Sequence, residues 1–161
     1  MDDAQRIPFK EKRPAPAERA AASPARGKQA RTERVRIVIA DDDPMSLEEL
    51  GNLLQTQFDT VGRAENGKQL IECVHRLRPA VVVTDLSMPE MNGIEAARQI
   101  SKTHPDVKVL ILSVHSGPAF VEAAFEAGAK GYVVKLEAGS DLIPAIEDVL
   151  AGRLHRPRGL V

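Results

Sequence analysis

The sequence contains no tryptophan, a single cysteine and only 3% aromatic residues among its 161 positions. Its core therefore has to come from aliphatic side chains, since 43% of the residues are hydrophobic. The lone Cys73 has no partner, which excludes a disulfide framework and favours a reducing compartment. No apolar run approaches the roughly 18 residues that span a bilayer, and the N-terminus lacks the apolar stretch of a secretory signal. We therefore expect a soluble, cytoplasmic protein with room for one ordinary domain.

The net charge of −1 is distributed unevenly along the chain. Residues 1–34 carry nine Lys and Arg against five Asp and Glu, whereas the remainder carries 13 against 18. Residues 1–33 are also rich in Pro and Ala without apolar periodicity, so we predict a disordered basic tail. Such a tail can contact nucleic-acid phosphates, although a solvated tail without a specific partner is the simpler interpretation. The predicted organisation is this tail, a folded domain over 34–152 and a short C-terminal tail over 153–161.

Five short apolar runs alternate with five amphipathic segments in the folded part. The runs predict strands near residues 35–40, 58–63, 81–85, 107–112 and 131–134, each followed by a helix. This alternation predicts an α/β fold, a doubly wound, flavodoxin-like parallel sheet of five strands flanked by five helices. With strand order 2-1-3-4-5, strands one, three, four and five end close together. Pro144 is tolerated best in a first helical turn, so we predict that the last helix begins near Ser140 or bends.

The stretch from Ala80 to Gly93 is the most informative part of the chain. Its apolar run is typical of a strand covered on both faces, and Asp85 stands where that strand should end. Pro89 and the pair Asn92-Gly93 indicate a turn before the next helix. Because binding sites in open parallel sheets form at the carboxyl ends of the strands, Asp85 is a candidate site residue.

Polar side chains follow the other strands at the same end of the predicted sheet. Asp41 and Asp42 follow strand one, Ser113 ends strand four, and Lys135 follows strand five. Three neighbouring carboxylates repel one another unless a cation lies among them, and oxygen ligands of this kind suit Mg²⁺. A lysine and a hydroxyl group nearby can bind an oxyanion. The pattern therefore predicts a site in which Asp85 accepts a phosphoryl group through positioning and charge neutralisation.

Residues 35–152 resemble the receiver domain of two-component response regulators, the CheY-like superfamily. The resemblance rests on five motifs in order: the Asp41-Asp42 pair, Asp85 followed by Leu-Ser-Met-Pro-Glu-Met-Asn-Gly, Ser113 after an apolar strand, Gly131-Tyr132-Val133-Val134, and Lys135. It implies that the protein is a signalling switch of a phosphorelay. Leu136 departs from the family pattern, in which a proline often follows the lysine.

The resemblance implies a role for each acidic residue. Asp85 would accept the phosphoryl group from a phosphohistidine on a sensor histidine kinase or a phosphotransfer protein. Asp42 and Asp85 would bind Mg²⁺ directly, Asp41 would bind it through water, and the main-chain carbonyl of Ser87 would complete the protein ligands.

The resemblance also implies a switch. Ser113 would hydrogen-bond the phosphoryl oxygen, and Lys135 would pair first with Asp85 and then with the phosphoryl group. Tyr132 would rotate into the space that Ser113 vacates. The face formed by the fourth helix, fifth strand and fifth helix would contact a downstream protein or form a homodimer. We expect His155 to be a surface residue.

Two alternatives remain open. One is a transcription regulator, either truncated or binding DNA through the basic tail, but that tail offers no element that reads a groove, and the residues after the last helix are too few for a DNA-binding domain. The other is a phosphatase similar to the haloacid dehalogenases, which requires a second aspartate where this chain has Ser87. We therefore expect no enzyme activity beyond self-catalysed phosphorylation and slow autodephosphorylation, no membrane partner, and output through protein rather than nucleic-acid contacts.

Overall fold

The computed structural model describes residues 33–159, which form five strands and five α-helices in alternation. Their order is β1 (Arg36–Ala40), α1 (Pro44–Leu54), β2 (Asp59–Ala64), α2 (Gly67–Leu77), β3 (Val81–Asp85), α3 (Gly93–Thr103), β4 (Lys108–Ser113), α4 (Pro118–Glu126), β5 (Gly131–Val134) and α5 (Ala138–Leu150). A single 3₁₀ turn, Lys135–Glu137, joins β5 to α5. None of these helices is long and apolar enough to cross a membrane. The tail predicted over residues 1–33 lies, apart from Glu33, outside the described residues.

The sheet has the order β2-β1-β3-β4-β5, and every neighbouring pair is parallel. The predicted fold class and the predicted strand order 2-1-3-4-5 are therefore confirmed. The register pairs Asp85 with Leu112 and Ser113 with Val134, which aligns the carboxyl ends of β3, β4 and β5. Polar residues that follow these strands consequently share one edge of the sheet.

Apolar side chains fill the space on both faces of the sheet. One face is covered by α1 and α5, whose buried residues include Leu50 and Ile146, and the other by α2, α3 and α4. Strand β3 is buried over all five residues, as expected for a central parallel strand. Because strand β3 is packed from both sides, the main chain of Asp85 is held in a fixed position.

Helix α5 differs from its sequence-based prediction. It begins at Ala138 rather than near Ser140, and Pro144 lies inside it. Proline has no N–H to donate to the carbonyl group four residues earlier, which belongs to Ser140. Ser140 is exposed, so water can satisfy that carbonyl group and the helix continues through the proline.

Candidate functional site

The adjacent aspartates after β1 have different environments. Asp41 is 2% exposed; its Oδ1 accepts a hydrogen bond of 2.9 Å from the Asp43 N–H, and its Oδ2 accepts one of 2.7 Å from Lys135 Nζ. Asp42 is exposed, and Asp43 caps α1 by accepting a hydrogen bond from the Met45 N–H. Asp41 is therefore tied to the protein, whereas Asp42 faces solvent.

Asp85 ends β3 at the centre of the sheet edge. Its Oδ1 accepts a hydrogen bond of 2.9 Å from the Leu86 N–H, and the residue is 9% exposed. Burial raises the pKa of Asp85; the Lys135 ammonium lowers it, and the negative charge of Asp41 raises it again. Asp85 is thus a carboxylate whose ionised form depends on nearby positive charge.

The segment after Asp85 is held close to the strand by the start of α3. The Gly93 N–H donates a hydrogen bond of 2.8 Å to the Leu86 carbonyl, and a Cβ atom on Gly93 would overlap the main-chain oxygen of Asp85. Asn92 and Glu95 form a capping box, in which each side chain accepts a hydrogen bond from the other residue's N–H. These contacts fix the loop that forms one wall of the site.

The carboxylates of Asp41, Asp42 and Asp85 come together as predicted. One oxygen of each lies within 4.8 Å of the others. Ser87 is exposed and lines the same cleft as Asp42. Three carboxylates with an open solvent side suit a small hard cation that keeps part of its water shell, so the residues present fit a divalent metal ion.

Lys135 supplies the positive charge that faces these carboxylates. Its Nζ lies 2.7 Å from Asp41 Oδ2 and 3.7 Å from Asp85 Oδ2. Lys135 therefore contacts Asp85, as expected, and also Asp41, at the shorter distance, which the sequence analysis did not name. Burial alone would lower the pKa of Lys135, but the hydrogen bond to Asp41 and the charge of Asp85 outweigh it and raise the pKa. Lys135 remains an ammonium ion.

Ser113, His115 and Tyr132 form a hydrogen-bonded group beside Asp85. Ser113 is 1% exposed, and its Oγ accepts a hydrogen bond of 3.0 Å from the His115 N–H. Tyr132 is fully buried and its hydroxyl group donates a hydrogen bond of 2.7 Å to the His115 carbonyl. Burial raises the pKa of the Tyr132 phenol, so the phenol keeps the proton that it donates. The phenol thus points into the protein, toward the loop after β4.

Two features of the structure escaped the sequence analysis. The first is the main-chain carbonyl of His115, which no sequence pattern marks as the acceptor of the Tyr132 proton. The second is His155, predicted to lie at the surface; that prediction is wrong, because its side chain is only 13% exposed and contacts Asp141 and Asp148. A signal was available in the pair of aspartates seven residues apart on α5, which places them near one face of that helix.

Comparisons with known proteins agree on one family. The family model described as "Response regulator receiver domain" matches residues 37–147. Among curated proteins, the transcriptional regulatory protein DegU of Brevibacillus brevis is 35% identical over 126 residues, which cover 77% of this chain and 53% of that protein. The chemotaxis protein CheY of Thermotoga maritima is 34% identical, over 71% of this chain and 96% of its own length.

Solved structures give the same result. A LuxR-family two-component response regulator from an Aurantimonas species superposes with a TM-score of 0.73 and 36% identity, over 76% of this chain and 89% of that one. The signal receiver domain of NarL from Mycobacterium tuberculosis gives a TM-score of 0.72 and 31% identity, over 76% of this chain and all of that one. The chain nevertheless spans only about half the length of several curated relatives that it matches.

Proposed function

Since this chain belongs to the response regulator receiver family, we propose that it is a phosphorylation-dependent signalling switch whose phosphoryl acceptor is Asp85. We propose residues 34–152 as the receiver domain. The phosphoryl donor would be a phosphohistidine on a sensor histidine kinase or a phosphotransfer protein. A downstream protein would read the result, with the face formed by α4, β5 and α5 as the contact surface or as a homodimer interface.

One observation carries this proposal: Lys135 Nζ lies 2.7 Å from Asp41 and 3.7 Å from Asp85, at the mouth of the carboxylate cluster. A single ammonium ion beside two carboxylates leaves the site with excess negative charge and one carboxylate, Asp85, that is not fully neutralised. A reacting phosphoryl group needs a nucleophilic oxygen, a cation and a hydroxyl donor converging on one point. Asp85, Lys135 and Ser113 supply these three groups.

In the reaction, a carboxylate oxygen of Asp85 attacks the phosphorus of the phosphohistidine. The new O–P bond forms while the P–N bond breaks, and the leaving imidazole nitrogen takes the bonding electron pair. Lys135 moves from Asp41 toward the phosphoryl oxygens, a short displacement because it already lies between the two carboxylates. Ser113 donates its hydroxyl proton to another phosphoryl oxygen. Positioning and charge neutralisation account for the rate.

Mg²⁺ would be held by Asp42, Asp85 and the Ser87 main-chain carbonyl, with Asp41 bound through water. When bound, it supplies positive charge that offsets the carboxylates and the phosphoryl oxygens. Asp42 suits direct binding because it is exposed, whereas both oxygens of Asp41 already accept hydrogen bonds. The chain's own residues thus divide into one group that holds the cation and one that holds the phosphoryl group.

The conformational switch would run through Ser113 and Tyr132. When Ser113 turns its hydroxyl group toward the phosphoryl oxygen, it can no longer accept the His115 N–H in the same geometry. The loop after β4 then moves toward the site, and Tyr132, whose hydroxyl group is bonded to that loop, adjusts with it.

The decisive experiment is phosphorylation by a small-molecule donor. The full-length protein is incubated with acetyl phosphate and Mg²⁺, and its intact mass is measured. We expect a gain of about 80 Da, the mass of one phosphoryl group. The gain should disappear in Asp85→Asn and when a chelator removes the metal ion.

A matched control is Asp106→Asn, which removes an exposed carboxylate at the opposite end of β4. This variant should gain the same mass as the wild type. The proposal is wrong if the wild type gains no mass at any Mg²⁺ concentration, or if Asp85→Asn gains as much as the wild type.

A transcription regulator is the second candidate, favoured by one observation. The similar proteins DegU and LnrK are called transcriptional regulatory proteins, and this chain covers 53% and 57% of their lengths. DNA titrations at several salt concentrations would test it. If the affinity falls steeply between roughly 50 and 200 mM salt, as is typical of phosphate contacts alone, the binding comes only from basic residues that contact the DNA backbone. Retained, sequence-selective binding would favour the regulator.

The phosphatase alternative receives no support. Ser87, two residues after Asp85, offers no carboxyl group as a general acid. The family that matches consists of regulators rather than enzymes.

A further inference from the structure

Residues Arg153–Gly159 do not leave the domain after α5 but pair with the edge of the sheet. The His155 N–H donates a hydrogen bond of 3.0 Å to the Lys130 carbonyl, and the Tyr132 N–H donates one of 2.8 Å to the His155 carbonyl. His155 thereby forms a parallel bridge with Gly131. We call residues 153–159 the strap, because they extend the sheet beyond β5 by a short piece of strand.

Charged side chains fasten the strap to α5. His155 lies between two carboxylates, with Nδ1 2.8 Å from Asp148 and Nε2 3.1 Å from Asp141. Arg153 donates two hydrogen bonds to one oxygen of Asp148, and Arg158 lies 3.7 Å from Asp141. Asp141 is 2% exposed, so these cations balance a buried charge.

The other side of the strap is fastened to α4. Arg156 donates a hydrogen bond of 3.0 Å to Glu122, and its guanidinium group lies 4.4 Å from the ring centre of Phe125. Within the strap, Pro157 is buried. The strap therefore bridges α4 and α5 across β5, the part of the fold for which we propose an output role.

Tyr132 connects the strap to the phosphorylation site through its two ends. Its main-chain N–H bonds to His155 of the strap, and its hydroxyl group bonds to the carbonyl of His115, whose N–H in turn bonds to Ser113. A continuous series of hydrogen bonds thus runs from the hydroxyl group of Ser113 to the main chain of the strap. Two of the three hydrogen bonds in this series are donated by Tyr132, which is fully buried.

We propose that docking of the strap is coupled to the phosphorylation of Asp85 through this series of hydrogen bonds, and that phosphorylation loosens the strap. The inference rests on the proposed function, because it requires Asp85 to be phosphorylated. Phosphorylation should loosen rather than tighten the strap because the hydrogen bonds described above hold the strap docked, so that a rearrangement of these bonds weakens docking. When the Ser113 hydroxyl group turns to the phosphoryl oxygen, it releases the His115 N–H. The carbonyl of His115 then shifts, and with it Tyr132 and the bridge to His155.

The strap is suited to respond because it is held weakly compared with the sheet. Beyond the end of α5, where the Arg153 N–H bonds to the Asp148 carbonyl, two main-chain hydrogen bonds fix it, to Lys130 and Tyr132, and the side chains of Arg153 and Arg158 are each 66% exposed. Segments with few buried contacts open at a small free-energy cost. A modest change at Tyr132 can therefore shift the fraction of molecules in which the strap is docked.

Hydrogen exchange of the His155 amide tests the proposal directly, because that amide is protected only while the strap is docked on Lys130. The full-length protein is compared with and without acetyl phosphate and Mg²⁺, with intact mass recorded in parallel. We expect exchange at His155 to accelerate about tenfold in the phosphorylated protein, a usual size for coupling between two sites. Asp85→Asn treated in the same way should show no acceleration.

The outcomes separate the two proposals. A mass gain of about 80 Da with unchanged or slower exchange at His155 would overturn the coupling and leave the proposed function standing. No mass gain would overturn the proposed function and the coupling together. Acceleration at His155 in Asp85→Asn would show that the additives act on the strap without phosphorylation, which also overturns the coupling.

Reciprocity supplies a second test, since a strap that senses the phosphoryl group must also affect it. Arg156→Ala removes the contacts to Glu122 and Phe125, and Arg98→Ala, on an exposed face of α3, is the matched control. Arg156→Ala should raise the phosphorylated fraction at limiting acetyl phosphate several-fold, because a loosened strap favours phosphorylation, whereas Arg98→Ala should match the wild type. Equal fractions for all three folded proteins, or a lower fraction in Arg156→Ala, would contradict the proposal.

Discussion

Asp85 is held in an environment that disfavours its own charge. It is 9% exposed, its neighbours Asp41 and Asp42 are also acidic, and the one nearby ammonium ion lies closer to Asp41. Its pKa is raised chiefly by burial. A buried carboxylate that is incompletely neutralised has an affinity for added positive charge, which is the property that the proposed phosphoryl acceptor needs.

The raised pKa of Asp85 predicts that Asp85→Asn stabilises the fold when no metal ion is present. Because the folded state holds this proton more tightly than the unfolded state, stability falls as the pH rises from 3.8 through the folded pKa. At pH 7 the ionised carboxylate therefore costs stability. We expect Asp85→Asn to raise the free energy of unfolding by about 1 kcal/mol in urea titrations with chelator.

Added Mg²⁺ should make the wild type more stable than Asp85→Asn. A ligand at 100 times its dissociation constant stabilises the folded state by about 2.7 kcal/mol, and the variant lacks one of the three carboxylates. The wild type should thus gain substantially more stability from Mg²⁺ than Asp85→Asn does. Equal gains in the two proteins would argue against a metal site at this cluster.

At the scale of elements, the junction between β3 and α3 determines the position of the loop after Asp85, which forms one wall of the site. The start of α3 lies so close to the end of β3 that only hydrogen fits on the Cα atom of Gly93. The capping box of Asn92 and Glu95 fixes the first turn of the same helix. Strand, loop and helix are therefore one rigid unit around Asp85.

Gly93→Ala should damage this unit. The new methyl group would overlap the main-chain oxygen of Asp85, so the helix has to shift, at a cost of about 1–3 kcal/mol in the free energy of unfolding. Phosphorylation by acetyl phosphate should also slow at least several-fold, because the loop moves with the helix.

The control is Gly139→Ala, in the first turn of α5, where a Cβ atom would have no neighbour within 4 Å. This variant should be neutral or slightly more stable, since alanine favours helix over glycine by up to about 1 kcal/mol. If thermal unfolding shows both variants equally affected, close packing at Gly93 is not what fixes the loop.

The elements were predictable from the sequence where local pattern decides the outcome. The apolar run before Asp85 predicted the strand, and the turn residues Asn92 and Gly93 indicated where the next helix follows. The contact between Lys135 and Asp41 was not predictable, because the choice between two carboxylates depends on side-chain geometry of about one ångström. The bridge between Gly131 and His155 joins residues 24 positions apart across a helix, which no periodicity records.

At the scale of the whole molecule, the strap closes the chain onto its own sheet through charges of opposite sign. Burial alone would lower the pKa of His155, but hydrogen bonds to Asp148 and Asp141 outweigh it and raise the pKa. The other charged groups facing His155 are the neighbouring Arg153 and Arg158, which share these two carboxylates. With a carboxylate at each ring nitrogen, the docked position favours the protonated form of His155.

This arrangement predicts a pH dependence of stability. A raised pKa in the folded state means that the stabilisation by protonated His155 is fully present below pH 6.5 and is lost as the pH rises through the folded pKa. The free energy of unfolding of the wild type should decline by about 1 kcal/mol across that range relative to His155→Gln.

Denaturant titrations from pH 5.5 to pH 9, a range that covers roughly the pH values at which histidine titrates, would measure the difference in the free energy of unfolding between the wild type and His155→Gln. Lys68→Gln, which removes an exposed cation on α2, should follow the wild type throughout. Parallel curves for the wild type and His155→Gln would mean that the two aspartates do not stabilise the imidazolium form.

The buried position of Tyr132 has a practical consequence, because it is the only tyrosine in a chain without tryptophan. The near-ultraviolet emission of the unlabelled protein comes almost entirely from this one phenol. Its intensity and excitation spectrum depend on the hydrogen bond that the hydroxyl group donates to His115. The molecule thus carries its own optical probe between the proposed phosphoryl acceptor and the strap, and the proposed change of state at Asp85 should be observable in real time without a dye.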